Sequence, residues 1–207
     1  QTSNIELSDN ATIGGTGNWA LLAVSYADTT LDLNVFTLTK AGSNTFTLCG
    51  TTITAGTISI NGGRFALIGA PKGVDVDGTA ANFILADTLG VDLYLENRNL
   101  TIASLQGGGT TGGNVNLGAG SLTNTITVNQ STNTTYSGII SGTGGKFTKD
   151  GSGTLTLSGT NTFTGGVTLN AGTLNINNVS ALGTVAGTFT IAGGTINNTS
   201  GGSITTV

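Results

Sequence analysis

The sequence lacks the residues on which most catalytic and metal sites are built. Its 207 residues include no histidine, no methionine, one cysteine and one proline. Without histidine, neither a histidine-based catalytic triad nor a histidine-ligated metal site can form. A single cysteine cannot form a disulfide within the chain, which excludes a disulfide-stabilised scaffold. We therefore expect no cofactor and no enzyme activity.

Charged residues are scarce as well. They make up 8% of the chain, against about 25% in typical soluble domains. Nucleic-acid binding requires a basic surface, and here six basic residues stand against ten acidic ones, so we expect no nucleic-acid partner. No run of about 18 apolar residues could span a membrane. The polar N-terminus does not resemble a signal peptide, and the last residues of the sequence form no polar cap of the kind that solenoids need for solubility. We therefore expect a mature or truncated portion of a longer protein, or a subunit whose open end another molecule covers.

Glycine, threonine, asparagine and serine dominate what is present. They number 35, 40, 21 and 15, which is more than half of the chain. Hydrophobic residues still reach 37%, whereas disordered segments are typically less hydrophobic and more charged. They alternate with polar residues in short runs, for example at residues 154–157 and 167–169. Such alternation predicts short β-strands with one apolar face, separated by glycine and asparagine corners.

The sequence also repeats itself. Residues 38–50 match residues 147–159 at eight of 13 positions with an offset of 109. Residues 55–61 match residues 171–177 at five of seven positions with an offset of 116. The seven-residue difference predicts an extra strand and turn in the second copy. Internal repetition of strand units favours a β-solenoid over a sandwich, with coils of roughly 20–25 residues stacked about 4.8 Å apart.

A solenoid also explains the scarcity of charge. Equivalent positions of successive coils form ladders of neighbouring side chains, and like charges in a ladder repel. Threonine, serine and asparagine can stack without that cost. Residues 151–207 contain no charged side chain at all. The low charge is therefore a positive indication of stacked coils.

Residues 145–174 carry the clearest motif, with Lys, paired Gly-x-Gly, Thr-Leu-x-Leu-x-Gly, Asn-x-Phe-x-Gly-Gly and a closing Ala-Gly-Thr-Leu. This segment resembles the autotransporter-associated β-strand repeat, also called the passenger-associated transport repeat, in which tyrosine usually stands in place of the phenylalanine. The earlier copy, residues 38–61, lacks the Asn-x-aromatic segment. The residues that occupy the structural positions of the motif are Lys149, Gly151, Gly153, Leu155, Leu157, Gly159, Asn161, Phe163, Gly165, Gly172 and Leu174.

The resemblance implies a right-handed parallel β-helix in a secreted or surface-displayed bacterial protein, without a catalytic site in the repeats. We expect residues 1–35 to form an N-terminal capping segment and residues 36–207 to form the β-helix. Within the helix, residues 64–105 are expected to be richer in charge and loops, and residues 138–177 to hold the clearest repeat.

Half of the 16 charged residues lie between residues 64 and 98. Asp75 and Asp77 would point to one face of a strand, which makes them weak candidates for metal ligands or for the paired carboxylates of a polysaccharide-cleaving β-helix. The alternative is a solvated loop insertion that breaks the side-chain ladders.

Three functions remain open from the sequence. The first is a structural surface protein, a β-helical stalk or adhesin passenger that contacts a host or surface glycan or protein. The second is a subunit that associates with its own copies end to end in an extracellular filament, because an open coil exposes unpaired strand edges. The third, which rests only on the acidic stretch, is a glycan-active or tailspike-like protein.

Overall fold

The computed structural model describes residues 4–22, 29–69, 76–118 and 123–205, and within these ranges it contains β-strands and no helix. The strands of the first half are β1 (Asn4–Glu6), β2 (Ala11–Ile13), β3 (Trp19–Leu22), β4 (Thr29–Asp32), β5 (Thr37–Lys40), β6 (Thr45–Cys49), β7 (Thr51–Thr54), β8 (Thr57–Ile60), β9 (Arg64–Ile68), β10 (Val76–Leu85) and β11 (Asp92–Glu96). The strands of the second half are β12 (Leu100–Gly107), β13 (Asn114–Asn116), β14 (Thr125–Asn129), β15 (Thr134–Tyr136), β16 (Ile140–Ser141), β17 (Lys146–Asp150), β18 (Thr154–Leu157), β19 (Val167–Leu169), β20 (Thr173–Ile176), β21 (Phe189–Ile191) and β22 (Thr195–Asn198).

Every pair of neighbouring strands among these residues runs parallel, and the strands form three faces of a coiled chain. The first face contains β1, β4 and β7, the beginnings of β10 and β12, and then β14, β17, β19 and β21. The second face contains β2, β5 and β8, the ends of β10 and β12, and then β15, β18, β20 and β22. The third face contains β3, β6, β9, β11, β13 and β16.

The chain passes over the three faces in turn and completes about eight turns. Partners in successive coils are separated by 19 residues between Phe46 and Phe65 and by 28 residues between Phe65 and Leu93. These separations bracket the 20–25 residues that the repeats predict. The all-β, parallel β-helical architecture is thereby confirmed.

Apolar residues at alternate strand positions fill the interior of the coil. In β18 and β20 the buried positions are Leu155, Leu157, Leu174 and Ile176, while the threonines and asparagine between them face outward. Leu155 lies next to Leu174 and Leu157 lies next to Ile176 in the parallel register. Each fully buried side chain of this size contributes roughly 1.5–3 kcal/mol of hydrophobic free energy. Apolar side chains thus stack on apolar side chains along the axis of the helix.

The two copies of the repeat occupy the faces differently. Lys40 lies in β5 on the second face, whereas the equivalent Lys149 lies in β17 on the first face. The copies come back into phase at β8 and β20, which both lie on the second face. The seven extra residues of the second copy therefore supply one additional segment beside β16 of the third face. There the Thr162 and Thr164 amides donate to carbonyls of the preceding coil.

The charged stretch does not interrupt the stack where the structure describes it. The strands β9 and β11 pair in register with their neighbours, whereas β10 pairs with β12 on either side of a register shift between Gly78 and Asn82. A loop insertion within residues 64–105 therefore stays a prediction. The charged side chains that the structure describes here occupy outward positions or corners: Arg64, Asp87, Asp92, Glu96 and Arg98. The strands β1 to β4 join the same faces as later strands, and the boundary of a capping segment at residue 35 stays a prediction.

Candidate functional site

The two aspartates singled out from the sequence are only partly described. Asp75 lies outside the described residues. Asp77 lies in β10, where its backbone pairs with Thr101. Within the described ranges, no group of three or more cysteine, aspartate or glutamate side chains is close enough to hold a metal ion. A metal or catalytic role for Asp75 and Asp77 therefore stays a prediction.

The neighbouring charges have structural partners. The Arg64 Nε atom lies 2.7 Å from Asp92 Oδ2, and the Arg64 guanidinium lies 4.6 Å from the centre of the Tyr94 ring. Burial raises the pKa of Asp92, and the attraction and hydrogen bond of Arg64 oppose that rise. Arg64 and Asp92 are register partners in β9 and β11. They form an ion pair across two coils on the outside of the third face.

Two further charged residues hold corners of the coil. The Asp87 carboxylate accepts hydrogen bonds from the Thr111 and Gly112 amides of the next coil, at 2.8 and 3.0 Å. The Arg98 side chain is buried and donates to the Ile68 and Thr51 carbonyls, both at 3.3 Å. Both side chains bind backbone groups of other coils, which is a structural use of charge.

The motif residues divide between the interior and the corners of the second repeat. Leu155, Leu157, Phe163 and Leu174 are buried in the core. Lys149 and Asn161 are buried polar residues that hydrogen-bond to the backbone. The five motif glycines lie where a side chain would collide with the backbone of a neighbouring coil: Gly151, Gly153, Gly159, Gly165 and Gly172.

Buried lysines close the corner at which each repeat begins. The Lys40 ammonium donates to the carbonyls of Ala41, Gly42 and Gly62 at 2.8, 3.0 and 2.8 Å, and to Asn44 Oδ1 at 3.1 Å.

The Lys149 ammonium does the same in the second repeat. It donates to the carbonyls of Asp150 and, at 2.9 Å, of Gly151. Burial lowers the pKa of Lys40 and of Lys149, and the Asp150 carboxylate opposes the change at Lys149. Each ammonium thus binds at least two carbonyls where the backbone turns from one face to the next.

Buried asparagines connect coils in a way that sequence reasoning missed. The Asn161 amide donates to the Ala181 carbonyl at 2.7 Å and accepts from the Ile140 amide at 2.8 Å, so it bridges the coils on both sides. Asn124 is buried too and donates to the Leu117 and Leu95 carbonyls. The signal available was position: both asparagines precede a short extended segment at a corner.

The two copies of the repeat match a known protein family. The model of the Passenger-associated-transport-repeat family matches the chain twice, at residues 38–67 and 147–176. The chain carries two passenger-associated transport repeats. Each match begins two residues before a corner lysine, Lys40 in the first repeat and Lys149 in the second. The resemblance that the motif indicated is confirmed.

A curated adhesin is similar to most of this chain. The Adhesin BmaC autotransporter of Brucella suis biovar 1 (strain 1330) is 35% identical to this chain over 167 residues. The aligned segment covers 78% of this chain and 5% of the adhesin, so the chain spans a small part of that relative's length. No solved structure matches the chain. The described residues also include no helix with the length and apolarity needed to cross a membrane.

Proposed function

We propose that this chain is a non-catalytic, rigid rod within the passenger of an exported bacterial surface protein. The observation that carries the proposal is the coincidence of the two transport repeats with continuous parallel ladders of the coil. Each coil bonds to the next through backbone hydrogen bonds parallel to the axis, and the stacked apolar interior prevents coils from sliding. Rods of this kind open at few places, which protects a protein outside the cell from proteases.

The repeat family and the adhesin relative support display at the cell surface. The test is to express the parent protein in its native host and add protease to intact cells. Antibodies against this chain should label intact cells, and prolonged proteolysis should remove the label. Labelling that requires permeabilised cells would contradict the proposal. Small-angle scattering of the purified chain should show a rod about 40 Å long, because about eight coils stack about 4.8 Å apart.

The non-catalytic part of the proposal has its own test. The chain is incubated with a panel of acidic and neutral polysaccharides, and newly formed reducing ends are measured. We expect no new reducing ends. The reason is that the described charged side chains bind other groups of the same chain, as seen for Arg64, Asp87, Asp92 and Arg98. If the wild-type chain cleaves a polysaccharide and the variants Asp75→Asn and Asp77→Asn do not, the enzymatic alternative is established instead.

End-to-end association is a second candidate. Parallel strands of the kind that stack within this chain can also stack between copies. Electron microscopy and sedimentation distinguish the two candidates, because filaments that lengthen with concentration require association and uniform short rods exclude it.

A further inference from the structure

The second face of the helix presents uncharged hydrogen-bonding groups along the whole described structure. One residue per coil forms a continuous ladder, with hydroxyl or amide groups in every coil except one. The exception is Ile84. The other two faces carry charges at outward positions, such as Lys146 on the first and Asp92 on the third. The ladder consists of Thr12, Thr39, Ser59, Ile84, Gln106, Thr135, Thr156, Asn175 and Asn197.

A groove lies in the middle of this face and crosses several coils. The strands β12 and β15 pair only at Gly107 and Tyr136, whereas β15 pairs with β18 at three successive positions. The groove has a volume of about 630 Å³ and extends from β10 to β20, with Gln106, Thr135 and Thr156 among its lining residues. The Thr134 hydroxyl donates to the Leu105 carbonyl at 2.7 Å and bridges the two strands.

The groove contains hydrogen-bonding groups that the fold does not use. Among the described residues, the side chains of Gln106 and Thr135 make no hydrogen bond, and no charged side chain lines the groove. An amide offers two donors and an acceptor, and a hydroxyl offers one donor and accepts as well. Sugar hydroxyl groups have the same dual character. The groove therefore complements a neutral, hydroxyl-rich polymer in charge and in hydrogen-bonding capacity.

We propose that the second face binds an extended, uncharged polysaccharide along this groove. A ligand that follows the ladder from Gln106 to Asn175 meets a new polar side chain in each coil, about 4.8 Å apart, which is close to the length of one sugar residue in an extended chain. Anionic polymers lack a cationic partner in the groove. An apolar peptide would meet only Ile84. Affinity per sugar is low and accumulates over successive coils because the contacts are neutral hydrogen bonds.

This inference rests on the proposed surface location for its biological setting, but it is tested on the purified chain, so the two fail separately. Binding is measured by co-sedimentation with cellulose, chitin and curdlan, and by affinity electrophoresis in dextran and mannan, with heparin and alginate as anionic comparisons. The double variant Thr135→Ala/Thr156→Ala removes two ladder hydroxyls from the groove. The matched control Thr127→Ala/Thr148→Ala removes two outward hydroxyls from the first face of the same two coils.

We expect at least one neutral polysaccharide to bind the wild-type chain, with about tenfold weaker binding for the second-face variant and unchanged binding for the first-face variant. Circular dichroism should show the same fold for all three proteins. If none of the neutral polysaccharides binds the wild-type chain, the inference is overturned. It is also overturned by equal weakening by both variants, or by binding confined to heparin and alginate and lost with added salt.

Discussion

The corner lysines give the sharpest test of how this helix is held together, and Lys40→Met is the clearest perturbation. The Lys40 ammonium lies within 3.1 Å of four oxygen atoms, three of them backbone carbonyls, and one of these belongs to Gly62 in the next coil. Methionine keeps the length and flexibility of the aliphatic stem. The substitution therefore removes the donors with little loss of packing volume.

The size of the effect follows from two opposing contributions. A hydrogen bond from a charged donor contributes about 1.5–3 kcal/mol, and a buried acceptor left without a partner costs about 1–3 kcal/mol. Against this stands the cost of keeping an ammonium away from water, which is the reason burial lowers the pKa of Lys40. With four acceptors losing one donor group, we expect Lys40→Met to lower the free energy of unfolding by about 3 kcal/mol.

Hydrogen exchange locates the effect as well as measuring it. The amides of Asn61 and Gly62 donate to the Lys40 carbonyl, so their protection should fall in Lys40→Met while that of residues 173–176 is unchanged. Lys146→Met is the matched control, because Lys146 is exposed in β17 and should change stability by less than about 0.5 kcal/mol. Equal urea midpoints for the two variants would refute the role assigned to the corner ammonium.

Three further predictions probe other parts of the helix. In urea titrations Gly159→Ala should lower the free energy of unfolding by at least about 2 kcal/mol, since the added Cβ would collide with a carbonyl of the preceding coil. The control Gly17→Ala has open space around the added Cβ and should be nearly neutral. Equal losses of stability would contradict the packing argument. Asn161→Ala should cost about 2 kcal/mol by leaving a buried amide and carbonyl unpaired, and unchanged exchange of those neighbours would count against it. Burial lowers the pKa of Lys40 in the folded chain from its ordinary value of 10.5, so at a pH between the folded and unfolded pKa values the unfolded chain binds more protons. Wild-type stability should therefore rise with pH over that interval more than the stability of Lys40→Met does. Parallel pH curves for the two proteins would exclude this linkage.

Much of the fold could be predicted from local pattern. Alternation in segments such as residues 154–157 determines which side chains face inward, and parallel stacking then places Leu155 against Leu174 without further information. The repeat offsets also predicted an extra unit in the second copy. These features can be predicted because each depends on residues close together in sequence or on the comparison of the two copies of the repeat.

The contacts at the corners could not be predicted in the same way. Asn161 bridges residues 21 positions before it and 20 positions after it, and the coil length that sets those partners varies along the chain. Arg98 reaches Thr51, 47 residues away, for the same reason. The groove on the second face was missed because residues from five coils line it, and threonine-rich composition does not show which side chains meet there.

The basic residues show how a tightly wound backbone uses charge. The chain has six lysines and arginines, and three of them, Lys40, Arg98 and Lys149, are buried with their side chains donating to backbone carbonyls at corners. A corner directs several carbonyls inward over a few residues, and amides cannot satisfy all of them because the strands on either side already use theirs. A lysine or arginine supplies several donors from one side chain. Lys40, Arg98 and Lys149 thus place their charge at corners where the backbone needs donors, and the described outward positions of the second face carry none. An outward face free of charge is a consequence of that division, and it leaves neutral hydroxyls and amides as the groups with which this face can bind a partner.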